Sequence, residues 1–122
     1  MSRSFTYIDD VIEIIFKLIK KPANPDKLFN SEKPNPSTSW CPHRIFNIGN
    51  EKSTTLNDFI INLERELGIK AIKECKPIQP GDVIDTLSEN IILKDWIGNY
   101  ETSSTKEGIK KFANWFKFYH KK

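Results

Sequence analysis

The most apolar stretch of the chain, Val11-Ile12-Glu13-Ile14-Ile15-Phe16-Lys17-Leu18-Ile19, predicts a helix that is greasy on most of its sides. Only Glu13, Lys17 and Lys20 are left to face water, so the helix calls for neighbours on more than one face. It follows a short extended segment that runs from Ser2 to Ile8. Asp9 or Asp10 is placed to accept hydrogen bonds from the first free helical amides, and Glu13, three residues after Asp10, fits a capping box. What remains of the chain is too small to cover such a helix completely.

Lys20-Lys21-Pro22 ends the helix, because proline biases its predecessor away from helical geometry. Residues 22–43 are rich in proline, asparagine and serine and read as a loop whose length suggests either disorder or a function. Arg44-Ile45-Phe46-Asn47-Ile48-Gly49-Asn50 alternates its side chains and stops at a glycine, which predicts a strand. Ser53-Thr54-Thr55 then caps a helix whose Leu56, Phe59, Ile60, Leu63 and Leu67 form a core stripe, closed by Gly68. A short strand is expected over 70–78, followed by a Pro80-Gly81 turn that aims Asp82. Residues 82–88 read as extended and 89–97 as a short helix ending at Gly98. Ser104 and Glu107 make a second capping box, and Ile109, Phe112, Ala113, Phe116 and Tyr119 form the buried stripe of a last helix.

With 122 residues there is room for one small domain or for part of a larger one, and neither a repeat nor a second domain is visible. Lysine and arginine number 19 against 16 aspartates and glutamates, with both signs interspersed. The lysines read as solvated faces, so nucleic acid is not an expected partner. Cys41 and Cys75 form no Cys-x-x-Cys pair and have no histidine at zinc spacing, which fits reduced thiols and no metal site. The apolar run 11–19 is too short to span a bilayer. A cytoplasmic chain with no membrane partner is therefore expected.

Several of these segments resemble the extended short-chain dehydrogenase/reductases, the NAD-dependent epimerases and dehydratases of nucleotide sugars. Arg3-x-Phe5-Thr6-Tyr7-Ile8-Asp9-Asp10 is similar to that family's Arg-Asp-Phe/Tyr-x-Tyr/His-Val-x-Asp segment, which lies past the middle of its chains. Thr38-Ser39-Trp40-Cys41-Pro42-His43-Arg44 resembles Thr-Ser-Tyr-Ala-Pro-Tyr-Arg of the UDP-glucuronate 4-epimerase branch, and Phe46-Asn47-Ile48-Gly49 resembles its Tyr-Asn-Ile-Gly. The end of the chain, Thr102 to Phe116, follows the family pattern as well. The resemblance implies an α/β (α+β) fragment of about four helices and a few short strands. It would be the C-terminal substrate-binding portion of such an enzyme, spanning 1–122 without the Rossmann half. Residues 1–21 would pack on that half.

The same resemblance assigns site residues. Arg3 offers a planar fork of donors suited to a diphosphate, although a surface arginine near a terminus is the plain alternative. Asp82, just past the turn, would accept from the ribose hydroxyls, or else bond its own backbone. Gln79 stands where related epimerases carry a second phosphate-binding arginine; it supplies no charge, and Arg44 is the candidate substitute. Phe5 is either near the ligand or an ordinary core aromatic. Ser4 replaces the family's usual aspartate, and Asn47 orients a loop or serves structure alone.

Two family features are missing from these 122 residues: a Gly-x-x-Gly-x-x-Gly turn and a Tyr-x-x-x-Lys pair, since Tyr7 and Tyr100 are followed four positions on by Val11 and Ser104. NAD is accordingly a cofactor of the full-length family and not expected on this chain alone. No catalytic residue is assigned, and whether the chain counts as an enzyme is left open. A UDP-sugar is the expected ligand, and a Rossmann half or a second copy the expected protein partner. The alternatives are a non-catalytic remnant or interaction module and, within the family, a dehydratase or UDP-glucose 4-epimerase.

Overall fold

The computed structural model describes residues 1–121. A two-residue strand, β1 (Ser2–Arg3), leads into α1 (Ile8–Ile19), and a long irregular passage follows. Next come β2 (Thr54–Thr55), which runs straight into α2 (Leu56–Leu67), then α3 (Ile91–Ile97) and α4 (Thr105–His120). β1 and β2 pair antiparallel, with Ser2 opposite Thr55 and Arg3 opposite Thr54. Four helices beside a two-stranded sheet match the expected fragment.

α2 and α4 are bounded as their sequences predict. Thr55 accepts from the Asp58 amide at the start of α2, and Gly68 closes it with φ 74°, a conformation costly for any residue with a Cβ. Ser104 and Glu107 form the complete capping box of α4. The two helices run parallel and side by side. Near their starts the Thr54 and Thr105 hydroxyls meet at 2.7 Å, and near their ends Lys117 Nζ donates to the Glu66 carbonyl at 2.7 Å. With 16 residues against 12, α4 overhangs its neighbour by its last turn. The predicted stripe is only partly buried: Ile109 and Ala113 are buried, but Phe112 in the middle of α4 and Tyr119 on the overhang stand exposed. The α2 stripe is likewise half-covered rather than buried.

α1 starts earlier than its acids suggest. Tyr7 is its N-cap residue, without a side-chain cap, because Asp10 is engaged elsewhere: it accepts from the Ser103 amide at 2.8 Å and the Ser103 hydroxyl at 2.9 Å. Ile14 is buried at 2 % exposure. Ile8, Ile12, Ile15, Phe16 and Ile19 are all exposed along the opposite side.

Two predicted strands do not form. Residues 44–50 form no ladder among the described residues. Arg44 makes an isolated bridge with Thr38, the Ile45 amide donates to the Ser37 carbonyl, and the Asn50 amide is taken by the Thr6 hydroxyl. Residues 71–80 are exposed throughout, and the 70–78 segment is tethered chiefly through Glu64, which accepts from the Ala71 amide and pairs with Lys70 and Lys73. A strand needs a continuous partner edge, and among the described residues 44–50 meets only the single bridge at Thr38 while 70–78 makes no bridge. The Pro/Asn-rich loop is irregular as expected. It is braced by its own turns, in which Asp26, Asn30 and Asn35 each accept from the amide two residues on.

Candidate functional site

β1 lies between two partners. On one side it pairs with β2; on the other the Ser2 amide donates to the Ile84 carbonyl at 3.0 Å and Ser2 bridges Asp85 in parallel. The Ser2 hydroxyl donates to the Asp85 carboxylate, and this bond is the main reason that carboxyl is held below its ordinary range. Arg3 points to the same segment. Its Nη1 donates to the carbonyls of Ser2 (2.9 Å) and Ile84 (3.0 Å), and its Nη2 to the carbonyl of Val83 (2.7 Å). Three of the five guanidinium donors are thus used on backbone, leaving two for the paired oxygens of an anion.

Asp82 immediately precedes those carbonyls. Its amide donates to the Gln79 carbonyl at 3.1 Å across a turn in which Gly81 has φ 95°. Asp82 and Gln79 are both exposed. The structure therefore brings Arg3 to the chain directly after Asp82, although the two are far apart in sequence.

Phe5 and Arg44 are placed elsewhere. Phe5 stacks on Phe59 of α2 with ring centroids 4.2 Å apart, and it lines an apolar cavity of about 300 Å³ with Tyr7, Ile8, Ile109 and Phe112. Of its two readings, core aromatic is the one this packing favours. Arg44 lies over the indole of Trp96 in α3, 5.1 Å from the ring centroid. The same ring carries Lys21 at 5.4 Å and donates its N–H to the Lys21 carbonyl.

Between Ser4 and Thr6, just past β1, and the 46–49 and 86–89 segments runs a polar groove of about 650 Å³, lined also by Asn47, Gly49, Thr86 and Ser88 among others. Its walls are tied by residues that sequence reasoning missed. Asn90, 1 % exposed, donates to the Gly49 carbonyl at 2.5 Å and accepts from the Ser88 hydroxyl at 2.7 Å. Asn50, also buried, donates to the Ser103 carbonyl at 3.1 Å, while its own carbonyl accepts from the Ser4 hydroxyl. Ser4 thus serves the seam between the opening segment and Asn50, and supports Arg3 only through the backbone. The one available signal was position: Asn50 ends a Gly-Asn turn, and Asn90 precedes a helix.

The phenols of Tyr7 and Tyr100 are not prepared as bases. Burial, reinforced by Asp9, pushes Tyr7 up, and burial pushes Tyr100 up against the opposing field of Lys94. Among the described residues no group of three His, Cys, Asp or Glu side chains could hold a metal, and Cys41 and Cys75 are free and exposed. No helix among them is long and apolar enough to cross a membrane.

The fold is similar to part of an epimerase of known structure. A crystal structure of UDP-glucuronic acid 4-epimerase from Bacillus cereus in complex with NAD superposes on 95 % of this chain with a TM-score of 0.63 and 21 % identity, using 30 % of its own length. In sequence, Protein CapI of Staphylococcus aureus is 38 % identical over 100 % of this chain, and UDP-glucuronate 4-epimerase 4 of Arabidopsis thaliana is 30 % identical over 98 % of it. The chain is thus similar to these two proteins along nearly its whole length, and it spans only 36 % and 26 % of theirs. No family model matches it.

Proposed function

We propose that this chain is the C-terminal, substrate-binding portion of an NAD-dependent nucleotide-sugar 4-epimerase acting between UDP-glucuronate and UDP-galacturonate. In this reading it holds the UDP end, with Arg3 on the diphosphate, Asp82 on the ribose and Gln79 at the mouth of the same turn. The observation that supports it is the meeting of Arg3 with the backbone of Val83 and Ile84. A fixed cation with two spare donors is then held on the backbone that directly follows the exposed Asp82. Arg44, stacked over Trp96, is the substitute for the second phosphate-binding cation in this reading. The glycine turn and Tyr-x-x-x-Lys that serve NAD in the family are not part of this sequence, so its residues do not fit that cofactor and no hydride step is drawn through them.

The uncovered side of α1 supports a further part of the reading. Residues 1–21 would pack on the Rossmann half, supplied by a longer chain or by a separate one, in the cytoplasm. Five exposed large apolar side chains on one helix are unusual for a finished surface, and relatives of about three times this length have chain available to cover them.

Thermal unfolding with and without UDP tests the site. UDP at a hundredfold excess over its Kd stabilises the native form by about 2.7 kcal/mol and raises the midpoint. Asp82→Asn, at an exposed position, removes most of that rise while leaving the ligand-free midpoint unchanged; Arg3→Ala removes it too but also lowers the ligand-free midpoint. A wild-type midpoint indifferent to millimolar UDP refutes the assignment.

A further inference from the structure

Between Gly68 and Gly81 the chain leaves the body of the molecule. Both glycines have positive φ, 74° and 95°, and every residue from Gly68 to Leu87 is exposed. A cavity of about 600 Å³ is shared by residues 71–76 with Met1, Leu56 and Ile60, so this stretch arches away from α2 instead of packing on it. Among the described residues the backbone from Ile72 to Ile78 makes no hydrogen bond. A strap with so few contacts is held by its two ends.

The far end is the candidate site, where the Asp82 amide donates to the Gln79 carbonyl and the next two carbonyls take Arg3. The near end is one side chain. Glu64, near the end of α2, accepts from the Ala71 amide at 2.9 Å through Oε1 and from Lys70 Nζ at 3.1 Å through Oε2, while Lys73 Nζ lies 3.8 Å from Oε1. The Glu64 side chain is only 9 % exposed, whereas both lysines are largely in solvent. The Ala71 amide, ahead of Lys70, holds this carboxyl below its ordinary range, so it is ionised at neutral pH. A charge-assisted bond to a fixed amide then outweighs two exposed ion pairs, which contribute little.

We propose that Glu64 is a positioning residue for the candidate site: by fixing Ala71 it anchors the near end of the strap and so restricts where Gln79 and Asp82 stand relative to Arg3. A segment fixed at both ends explores less space than one fixed at a single end. Asp82 is then presented with less freedom left to lose when a ligand binds. The anchor stands on geometry alone, and its bearing on ligand binding rests on the UDP reading above.

Amide hydrogen exchange of the full chain, resolved by residue with NMR, reads the anchor, and titration with UDP reads its consequence. The Ala71 amide should exchange about tenfold more slowly than those of Ile72 to Ile78. Glu64→Ala should erase that difference and weaken UDP binding about tenfold, whereas Glu64→Gln, which keeps an acceptor for the amide, should retain most of both. Glu64→Met, of similar length and without an acceptor, takes its place if Glu64→Ala does not fold. Lys70→Gln with Lys73→Gln removes only the ion pairs and should change either readout less than about twofold. Removing a carboxylate cannot weaken an anion's binding through charge alone, so the loss reports position. Wild-type exchange at Ala71 as fast as at its neighbours overturns the anchor, as does a lysine pair that reproduces the Glu64→Ala effect. Protection at Ala71 with equal UDP affinity in wild type and Glu64→Ala overturns the positioning role alone. A wild-type chain that ignores UDP overturns the UDP reading and the positioning role with it, while the anchor is still decided by exchange.

Discussion

The two sides of α1 have nearly the same kind of residue and opposite fates. Inward, Ile14 is buried and Asp10 is bonded twice to Ser103; outward, Ile8, Ile12, Ile15, Phe16 and Ile19 meet water. Hydrophobicity alone does not choose between them, since isoleucine lines both. The choice is made by one carboxylate and its serine, which fix the rotation of the helix about its axis. A polar contact worth only a few kcal/mol thereby decides where a much larger apolar area goes.

That contrast can be broken from the inside. Ile14→Ala should destabilise the chain by about 3 kcal/mol, and Asp10→Ala by about 2 kcal/mol, both read from urea unfolding. If Asp10→Ala left stability unchanged, the rotation of α1 would be set by packing alone. From the outside the effect should be small and of a different kind. Ile12→Ser with Phe16→Ser should change the unfolding free energy by less than about 0.5 kcal/mol per site while reducing self-association in sedimentation. A large loss of stability there would mean that the outer stripe is already packed within this chain.

What the sequence disclosed follows the same division. Elements set by neighbours along the chain were legible: the Thr55 cap and Gly68 stop of α2, the Ser104-Glu107 box of α4 and the Gly98 end of α3. Each depends on side chains within a few residues of the backbone they satisfy. Elements that need a distant partner were not. Residues 44–50 alternate like a strand yet meet only one bridge, at Thr38, 70–78 makes none among the described residues, and Asp10 looks like a cap until Ser103, far along the chain, claims it. At the candidate site the family pattern pointed to Arg3 and Asp82, and their common neighbourhood is visible only in three dimensions. Asn50 and Asn90 could not be foreseen, because a buried amide is recognised by what surrounds it. Arg44 was named as a substitute cation, and its place over the Trp96 indole was not legible in the sequence.

The indole of Trp96 also settles something about the passage between the first helix and the Phe46-Asn47-Ile48-Gly49 segment. Lys21 and Arg44, the residues on either side of 22–43, both rest on that one ring, so the excursion leaves and returns at nearly the same point. A detour closed at its base is thermodynamically forgiving: doubling its length costs only about 0.6 kcal/mol of closure entropy. This makes 22–43 the natural place for cousins of this chain to differ in size, trading one appendage for another while the helices beneath stay as they are.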